Sequence, residues 1–186
     1  MRICPLPVQG AGRLPSQESI LRYSLVGTSE TRVWVDYAEA EGGFVFSESS
    51  IDPDTIQAYR ETEYHVFGDY PFTIRIGVPN SALAAGCKRN CAESSAYITA
   101  CNPNSQTLDD AANAERTNSL RSELIERKLA FIEGVGQHPF NGWPGEDSFL
   151  IFGVDLEAAR DLSRRLGQNG FVWAGSDCIP QLILMR

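Results

Sequence analysis

Two polar side chains interrupt the apolar stripe of a predicted helix. Asn113 and Arg116 precede Leu120 and Leu124 at helical spacing, and residues three, four or seven apart share one face of a helix. An amide and a guanidinium therefore stand near the end of the helix whose backbone N–H groups have no partner. Because a guanidinium binds carboxylate or phosphate with two parallel hydrogen bonds, the pattern predicts a site for a small anionic or polar ligand.

The segments around the two main predicted helices add further polar groups to this candidate site. Asn102 and Ser105 follow the predicted strand 96–101, and Gln168 and Asn169 follow the second helix. These two loops lie at opposite ends of their helices, so antiparallel packing of the helices on one sheet face would bring them together. We therefore include all four residues in the predicted ligand-binding set.

A structural interpretation of the same residues stays open. An Asn-Pro pair initiates turns readily, so Asn102 would only shape the chain. Arg116 would then neutralise an internal acid such as Glu146 instead of binding a ligand.

Acid–base chemistry is a second functional hypothesis, and it depends on Glu146 and His138. Both belong to the segment 134–147, which is rich in Gly and Pro. A histidine within reach of Glu146 or Asp147 can act as a general acid or base, with Arg116 as the substrate anchor. The alternative is a solvent-exposed histidine without a catalytic role, so the sequence leaves open whether the protein is an enzyme.

Cys87 and Cys91 form the one pair with metal-like spacing. Zinc needs four ligands, and no second pair accompanies these two, so we predict no metal and no cofactor and favour incidental thiols. A redox pair is the remaining alternative, in which Lys88 and Arg89 lower the pKa of a thiol. The chain also lacks the Walker, dinucleotide-binding, serine-hydrolase and zinc-protease motifs.

The overall charge excludes one broad class of function. The 186 residues include 24 acidic and 16 basic ones, a net charge of −8, whereas general nucleic-acid binding needs a basic surface. The sequence shows no secretory signal and no apolar stretch long enough for a membrane span. Five cysteines at irregular spacing indicate reduced thiols. We predict a cytoplasmic protein without membrane association.

The order of predicted elements indicates an α+β fold. A first helix runs from Pro53, with Asp52 as its N-cap, to about Tyr64, and a strand covers 72–77. Two similar units follow, and a last strand begins at Gln181. The units consist of strand 96–101, helix 109–128, strand 130–135, strand 149–154, helix 155–166 and strand 171–173. This β-α-β-β-α-β order predicts a ferredoxin-like core with an antiparallel sheet.

The N-terminal part reads as an extension of this core. Residues 31–37 and 43–47 alternate apolar and polar side chains around a Gly-Gly pair, which predicts a β-hairpin. We divide the chain into an arm and hairpin extension over 1–50 and an α+β domain over 51–186. A third functional hypothesis is a protein-interaction module that binds a partner through residues 31–47.

Several short motifs resemble those of a bacterial family known as DUF3293, a domain of unknown function. The resemblance covers roughly 55–175, and the sequence departs from the family pattern at Cys101, where an aromatic is expected, and at Gly170, where Ala is usual. It implies no established activity, ligand or pathway. The motifs are Ala58–Tyr64, Ile74–Gly77, Ile98–Ser105, Asn113–Arg116, Glu146–Phe149 and Gly167–Asn169.

Overall fold

The computed structural model describes residues 50–185. The predicted arm and hairpin over 1–50, including residues 31–47, lie outside this range apart from Ser50. The described residues form helices together with one antiparallel sheet, so the predicted α+β class is confirmed.

The elements follow the predicted order, with two additions. The helices are α1 (Pro53–Glu61), α2 (Ser81–Arg89), α3 (Asp110–Glu126) and α4 (Leu156–Leu166), and a 3-10 turn spans Pro103–Ser105. The strands are β1 (Glu63–Val66), β2 (Phe72–Ile74), β3 (Ser95–Thr99), β4 (Ala130–Gln137), β5 (Glu146–Phe152), β6 (Gly170–Ala174) and β7 (Gln181–Leu184). The 3-10 turn and β1 are elements that the sequence interpretation did not assign. Helix α2 lies in the segment 79–95, whose sequence predicts either a loop or a short helix.

Capping residues set the ends of the helices where the sequence predicts them. Asp52 accepts a hydrogen bond from the N–H of Asp54 at the start of α1, and Asp155 accepts one from Ala158 at the start of α4. Gly167 ends α4 in the left-handed conformation, with φ of 74°, which costs glycine no Cβ clash.

The predicted extension of α1 to Tyr64 is wrong. Thr62 is extended, and its hydroxyl donates to the carbonyl of Ala58 at 2.8 Å. The next residues, Glu63–Val66, instead pair as β1 with both β2 and β4. Ladder hydrogen bonds from two neighbouring strands therefore prevail over the helical spacing of the sequence.

The seven strands lie in the order β2-β1-β4-β5-β3-β6-β7, and every neighbouring pair is antiparallel. Strands β5 and β3 form the centre, where Leu150 lies opposite both Tyr97 and Ile132. The predicted last strand, β7, is present and lies at an edge of the sheet.

Helices α3 and α4 cover the first face of the sheet. Leu120 and Leu124 of α3 and Leu162 of α4 are buried in one cluster with Ile98 and Phe149. Alternate strand residues point to opposite faces, so this cluster contains every second residue of a strand.

Helix α2 lies against the second face. Leu83 and Cys87 of α2 are buried with Tyr97, Leu150 and Phe152. Helices therefore lie on both faces of the sheet. Within residues 50–185, no helix combines the length and apolar character needed to cross a bilayer.

Candidate functional site

The second face of the sheet changes from apolar to polar toward one end. In β3 the buried Tyr97 is followed on this face by Thr99, and in β5 Leu150 is preceded by Ser148 and Glu146. A cavity of about 400 Å³ occupies this end, a volume sufficient for a small molecule.

The cavity lies between α1, the polar end of the sheet and two loops. Helix α1 and the strands next to it contribute aromatic and small side chains, and the loop after β4 contributes a histidine and an indole. The lining residues are Asp54, Thr55, Ala58, Tyr59, Thr62, Tyr64, Tyr97, Thr99, Asn102, Ser105, Gly136, His138, Asn141, Trp143, Glu146, Ser148, Gln168, Gly170, Phe171, Val172 and Leu182.

Glu146 is the most perturbed carboxyl group of this wall. The Nδ2 atom of Asn102 and the Nε1 atom of Trp143 both donate to its Oε1, at 2.7 and 3.1 Å. Loss of hydration raises the pKa of Glu146, and these two hydrogen bonds oppose that rise only in part. A carboxyl group of this kind is a frequent component of binding and catalytic sites.

Asn102 fixes the conformation of the loop to which it belongs. Its backbone is left-handed, with φ of 46° and ψ of 58°, and asparagine tolerates this region better than most residues. Its N–H donates to Oδ1 of Asn113 at 3.0 Å, and its own Oδ1 accepts from Asn113 Nδ2 at 3.0 Å and from the Leu108 N–H at 2.9 Å. Asn113 thus orients Asn102 from behind and is not among the lining residues.

Arg116 is directed at backbone carbonyl groups. Its Nε donates to the carbonyl of Ala100 and its Nη2 to the carbonyl of Leu166, each at 2.6 Å. Arg116 is not among the lining residues. Neither the predicted ligand contact nor the pairing with Glu146 corresponds to this geometry: the guanidinium joins the end of β3 to the end of α4.

The predicted meeting of the two polar loops is confirmed. Gln168 Nε2 donates to the carbonyl of Cys101 at 2.9 Å, and the N–H of Asn104 donates to the carbonyl of Gly167 at 2.7 Å. Gln168 lines the cavity. Antiparallel packing of α3 and α4 on one face therefore places these loops at the same end.

Asn169 and Ser105 form a second link between the same loops. Asn169 Nδ2 donates to Ser105 Oγ at 2.8 Å, and Ser105 Oγ lies 2.8 Å from the hydroxyl of Tyr59. Ser105 and Tyr59 line the cavity, whereas Asn169 supports Ser105 from behind. Asn169 Oδ1 is buried without a hydrogen-bond partner within the described part of the chain.

His138 lines the same cavity as Glu146, but its partner is Glu61. Its Nδ1 accepts from the N–H groups of Phe140 and Asn141 at 3.1 and 3.0 Å, and its Nε2 lies 3.2 Å from Glu61 Oε2. An accepting Nδ1 assigns the proton to Nε2. The side chain is only 8% exposed, so the predicted solvent-exposed histidine is wrong. Hydrogen bonds from Gln57 and, to a smaller extent, from His138 lower the pKa of Glu61.

The sequence interpretation did not include the three tyrosines of the cavity wall among the site residues. They are Tyr59, Tyr64 and Tyr97. The hydroxyl of Tyr64 donates to the carbonyl of Tyr59 at 2.6 Å, and the hydroxyl of Tyr97 donates to the carbonyl of His65 at 2.9 Å. Burial raises the pKa of both Tyr64 and Tyr97. The signal was present in the aromatic Ala58–Tyr64 segment, but a helix was assigned there and Tyr64 was not placed on the sheet.

Cys87 and Cys91, the alternative metal or redox pair, are in different chemical states. Cys87, Cys101 and Cys178 are buried free thiols, whereas Cys91 is disulfide-bonded, so the expectation of reduced thiols fails at Cys91. Burial, with the neighbouring Cys178, raises the pKa of Cys87 to about 11, opposite to the effect expected from nearby cations. Among residues 50–185, no group of three or more His, Cys, Asp or Glu is placed to hold a metal ion.

One family model matches part of the chain. Residues 98–170 match the model of a family described as a protein of unknown function, DUF3293. The matched segment includes the two loops that meet at the cavity and Glu146, but it excludes α1 and β1. No curated protein and no solved structure matches the chain.

Proposed function

We propose that this protein binds a small polar molecule in the cavity between α1 and the polar end of the sheet, in a regulatory or accessory role. The observation that carries the proposal is Glu146, a poorly hydrated carboxyl group in the wall of a cavity of about 400 Å³. Keeping a carboxyl group out of water costs free energy, and a ligand that hydrogen-bonds to it recovers part of that cost.

The geometry favours the polar alternative over the anionic one. Arg116, the predicted anchor for an anion, has its guanidinium on two carbonyl groups. Asp54 and Glu146 in the lining instead carry negative charge, which repels an anion. The proposal therefore keeps Asn102, Ser105 and Gln168 as contact residues and assigns Asn113, Arg116 and Asn169 to their support.

A cavity-filling variant tests this proposal. A Cβ added at Gly136 would meet carbon atoms of Thr62 and Tyr64 at 3.8 Å, an ordinary contact, so Gly136→Val fills space in the wall without a backbone clash. Thermal-shift screening against neutral, cationic and anionic metabolites should give stabilising ligands for the natural chain and none of these hits for Gly136→Val.

The matched control for this screen is Ala130→Val, at an exposed position of the same strand. It should keep every hit. The proposal is wrong if the screen gives no ligand, or if the hits bind Gly136→Val unchanged.

An enzymatic role is the second candidate, and the raised pKa of Glu146 favours it. A carboxyl group with a raised pKa holds its proton more tightly than one in water, which suits a general acid. His138 is less suited to this role because both ring nitrogens already have partners. Loss of turnover of a hit from the screen in Glu146→Gln, with binding retained, would support the enzyme over the binding protein.

Three further proposals concern the setting of the site. We propose a ferredoxin-like core for β3-α3-β4-β5-α4-β6, which is supported by the antiparallel order β4-β5-β3-β6. We also propose a cytoplasmic location, which the three free cysteines favour and the disulfide at Cys91 opposes. A reduced Cys91 in the cytosolic fraction of cells would support this location, and an oxidised Cys91 there would contradict it. Partner binding through residues 31–47 is tested by deleting 1–49 and repeating a pull-down.

A further inference from the structure

Five of the eight hydroxyl groups in the cavity lining donate their hydrogens to backbone carbonyl groups. Tyr64, Tyr97 and Ser148 donate to the carbonyl groups of Tyr59, His65 and Glu146, at 2.6, 2.9 and 2.9 Å. A hydroxyl group has one hydrogen and two lone pairs. Once the hydrogen is bound to the backbone, only lone pairs remain for a ligand.

Two threonine hydroxyls of the lining follow the same rule. Thr62 donates to Ala58 and Thr99 donates to Asp147, both at 2.8 Å. The five hydroxyl groups of these tyrosines, threonines and Ser148 therefore offer acceptors and no donors.

The carboxylate and amide groups extend the pattern. Both hydrogen bonds to Glu146 converge on Oε1, so its Oε2 takes none from the described residues. Gln168 uses one hydrogen of Nε2 on the carbonyl of Cys101, which leaves its Oε1 as an acceptor and the second Nε2 hydrogen as a donor. Asn141 keeps an amide donor, because its Oδ1 accepts from Trp143, but its side chain is exposed.

The charged and aromatic residues of the cavity lining also favour a positively charged ligand. Asp54 and Glu146 are the acidic residues of the lining, and no Lys or Arg of the described chain belongs to it. Tyr59, Tyr64 and Trp143 contribute aromatic rings, and aromatic faces attract cations.

We propose that the cavity selects a positively charged, donor-rich molecule, an organic ammonium or guanidinium compound, whose N–H groups bind Oε2 of Glu146 and the hydroxyl oxygens around it. This inference rests on the proposed small-molecule site and names the class of ligand for it. Glu146 supplies the countercharge, and Asp54 adds a second negative charge at the wall.

The first experiment compares ligands that differ only in one end group. Isothermal titration of the full chain with tyramine, tyrosol and 4-hydroxyphenylacetate presents the same phenol ring with a cationic, neutral or anionic end. Butylguanidinium and butylurea form a second pair. At least one cationic member should bind at least tenfold tighter than its neutral counterpart, and 4-hydroxyphenylacetate should be the weakest of its series.

The second experiment changes the wall. Glu146→Gln keeps an oxygen for Asn102 and Trp143 but replaces Oε2 with an N–H donor, so it should abolish the preference for the cation. Glu115→Gln removes the same charge from an exposed position in the middle of α3 and should leave the preference unchanged. Asp54→Asn, also at an exposed residue, should weaken cation binding by a smaller factor and serves if Glu146→Gln does not fold.

The outcomes separate this inference from the proposed function. Equal affinity for neutral and cationic members, or a preference that survives Glu146→Gln, overturns the inference. The inference is also wrong if no cation binds while a neutral or anionic hit from the thermal-shift screen binds the natural chain but not Gly136→Val. In that case the proposed site still stands. The absence of any ligand that Gly136→Val blocks overturns both.

Discussion

Arg116 donates from Nε to the carbonyl oxygen of Ala100, and the two atoms lie 2.6 Å apart. The same guanidinium reaches Leu166 at the end of α4. One cation thus satisfies two carbonyl groups that follow a strand and end a helix, where intrahelical partners run out. The residue that looks most like an anion receptor in the sequence fixes the two loops that present Asn102 and Gln168.

The first prediction is that Arg116→Ala destabilises the fold by about 2–4 kcal/mol, because it leaves two carbonyl groups without their charged donor. Urea unfolding measures the change. Arg116→Lys should lose less, since an ammonium can reach one of the two carbonyls. Arg164→Ala, at an exposed residue paired with Asp161 on its own helix, should change stability by less than about 0.5 kcal/mol. An Arg116→Ala protein of normal stability would contradict this role.

Arg116 illustrates which features of the site could be predicted from the sequence and which could not. Helical spacing correctly puts Arg116 on the face of Leu120 and Leu124, which are buried. Spacing does not determine whether a long side chain ends at solvent, at a ligand or at a carbonyl group. That depends on the chain 50 residues away at Leu166.

The elements were predictable where local signals agree. Asp52, Asp155 and Gly167 act as caps as expected, and the β-α-β-β-α-β order is present along the chain. Strand β1 was missed because its four residues, Glu63–Val66, are stabilised by pairing with β2 and β4. The cavity wall therefore lacked Tyr64 in the sequence interpretation. Glu146 and His138, which were named there as acid–base candidates, both line the cavity.

The second prediction contrasts two glycines of β4. A Cβ at Gly134 would lie 2.1 Å from the carbonyl oxygen of His65 and 2.6 Å from the hydroxyl of Tyr97, whereas one at Gly136 finds its nearest neighbours at 3.8 Å. Gly134→Ala should therefore destabilise the protein by about 3 kcal/mol or prevent folding, and Gly136→Ala should change stability by less than about 1 kcal/mol. Thermal unfolding of the two variants side by side decides the point, and equal effects would refute the close approach at Gly134.

The third prediction concerns Glu146 and pH. Its pKa in the folded protein is raised from the ordinary value of 4.5, so the folded state holds the proton more tightly than the unfolded chain. The stability that this group contributes is fully present below its unfolded-state pKa and is lost as pH rises through the raised folded-state pKa. Glu146→Gln removes this loss and keeps the oxygen that Asn102 and Trp143 use. The variant should be more stable than the natural chain at pH 7, by about 0.5–2 kcal/mol.

The control for this prediction is the pH series itself. Urea unfolding from pH 4 to 8 should show the advantage of Glu146→Gln rising above the ordinary carboxyl pKa and levelling off once Glu146 is ionised in the folded protein as well, while Glu115→Gln shows no such trend. A constant difference across the series would mean that Glu146 is not poorly hydrated in the folded state.

The fourth prediction is that Cys87 reacts slowly in the folded protein. Its pKa of about 11 leaves little thiolate at pH 8, and the thiolate is the reactive species. Alkylation by iodoacetamide should be about 100-fold slower in the native protein than in urea, as followed by mass spectrometry of the peptide that contains Cys87. Rapid native labelling would show that the thiol is accessible and ionised.

The fifth prediction tests how His138 orders the loop that carries Trp143. Its Nδ1 accepts from the N–H groups of Phe140 and Asn141, and its Nε2 ties the loop to Glu61 on α1. His138→Ala should raise hydrogen exchange at these two amides by about fivefold, because each loses a bond worth about 1 kcal/mol. His65→Ala removes the other described histidine, which contacts Thr73 on β2, and should leave these amides unchanged. If exchange in His138→Ala equals that of the natural chain, the loop takes its order from Trp143 and Glu146 instead, and the ligand wall forms without the histidine.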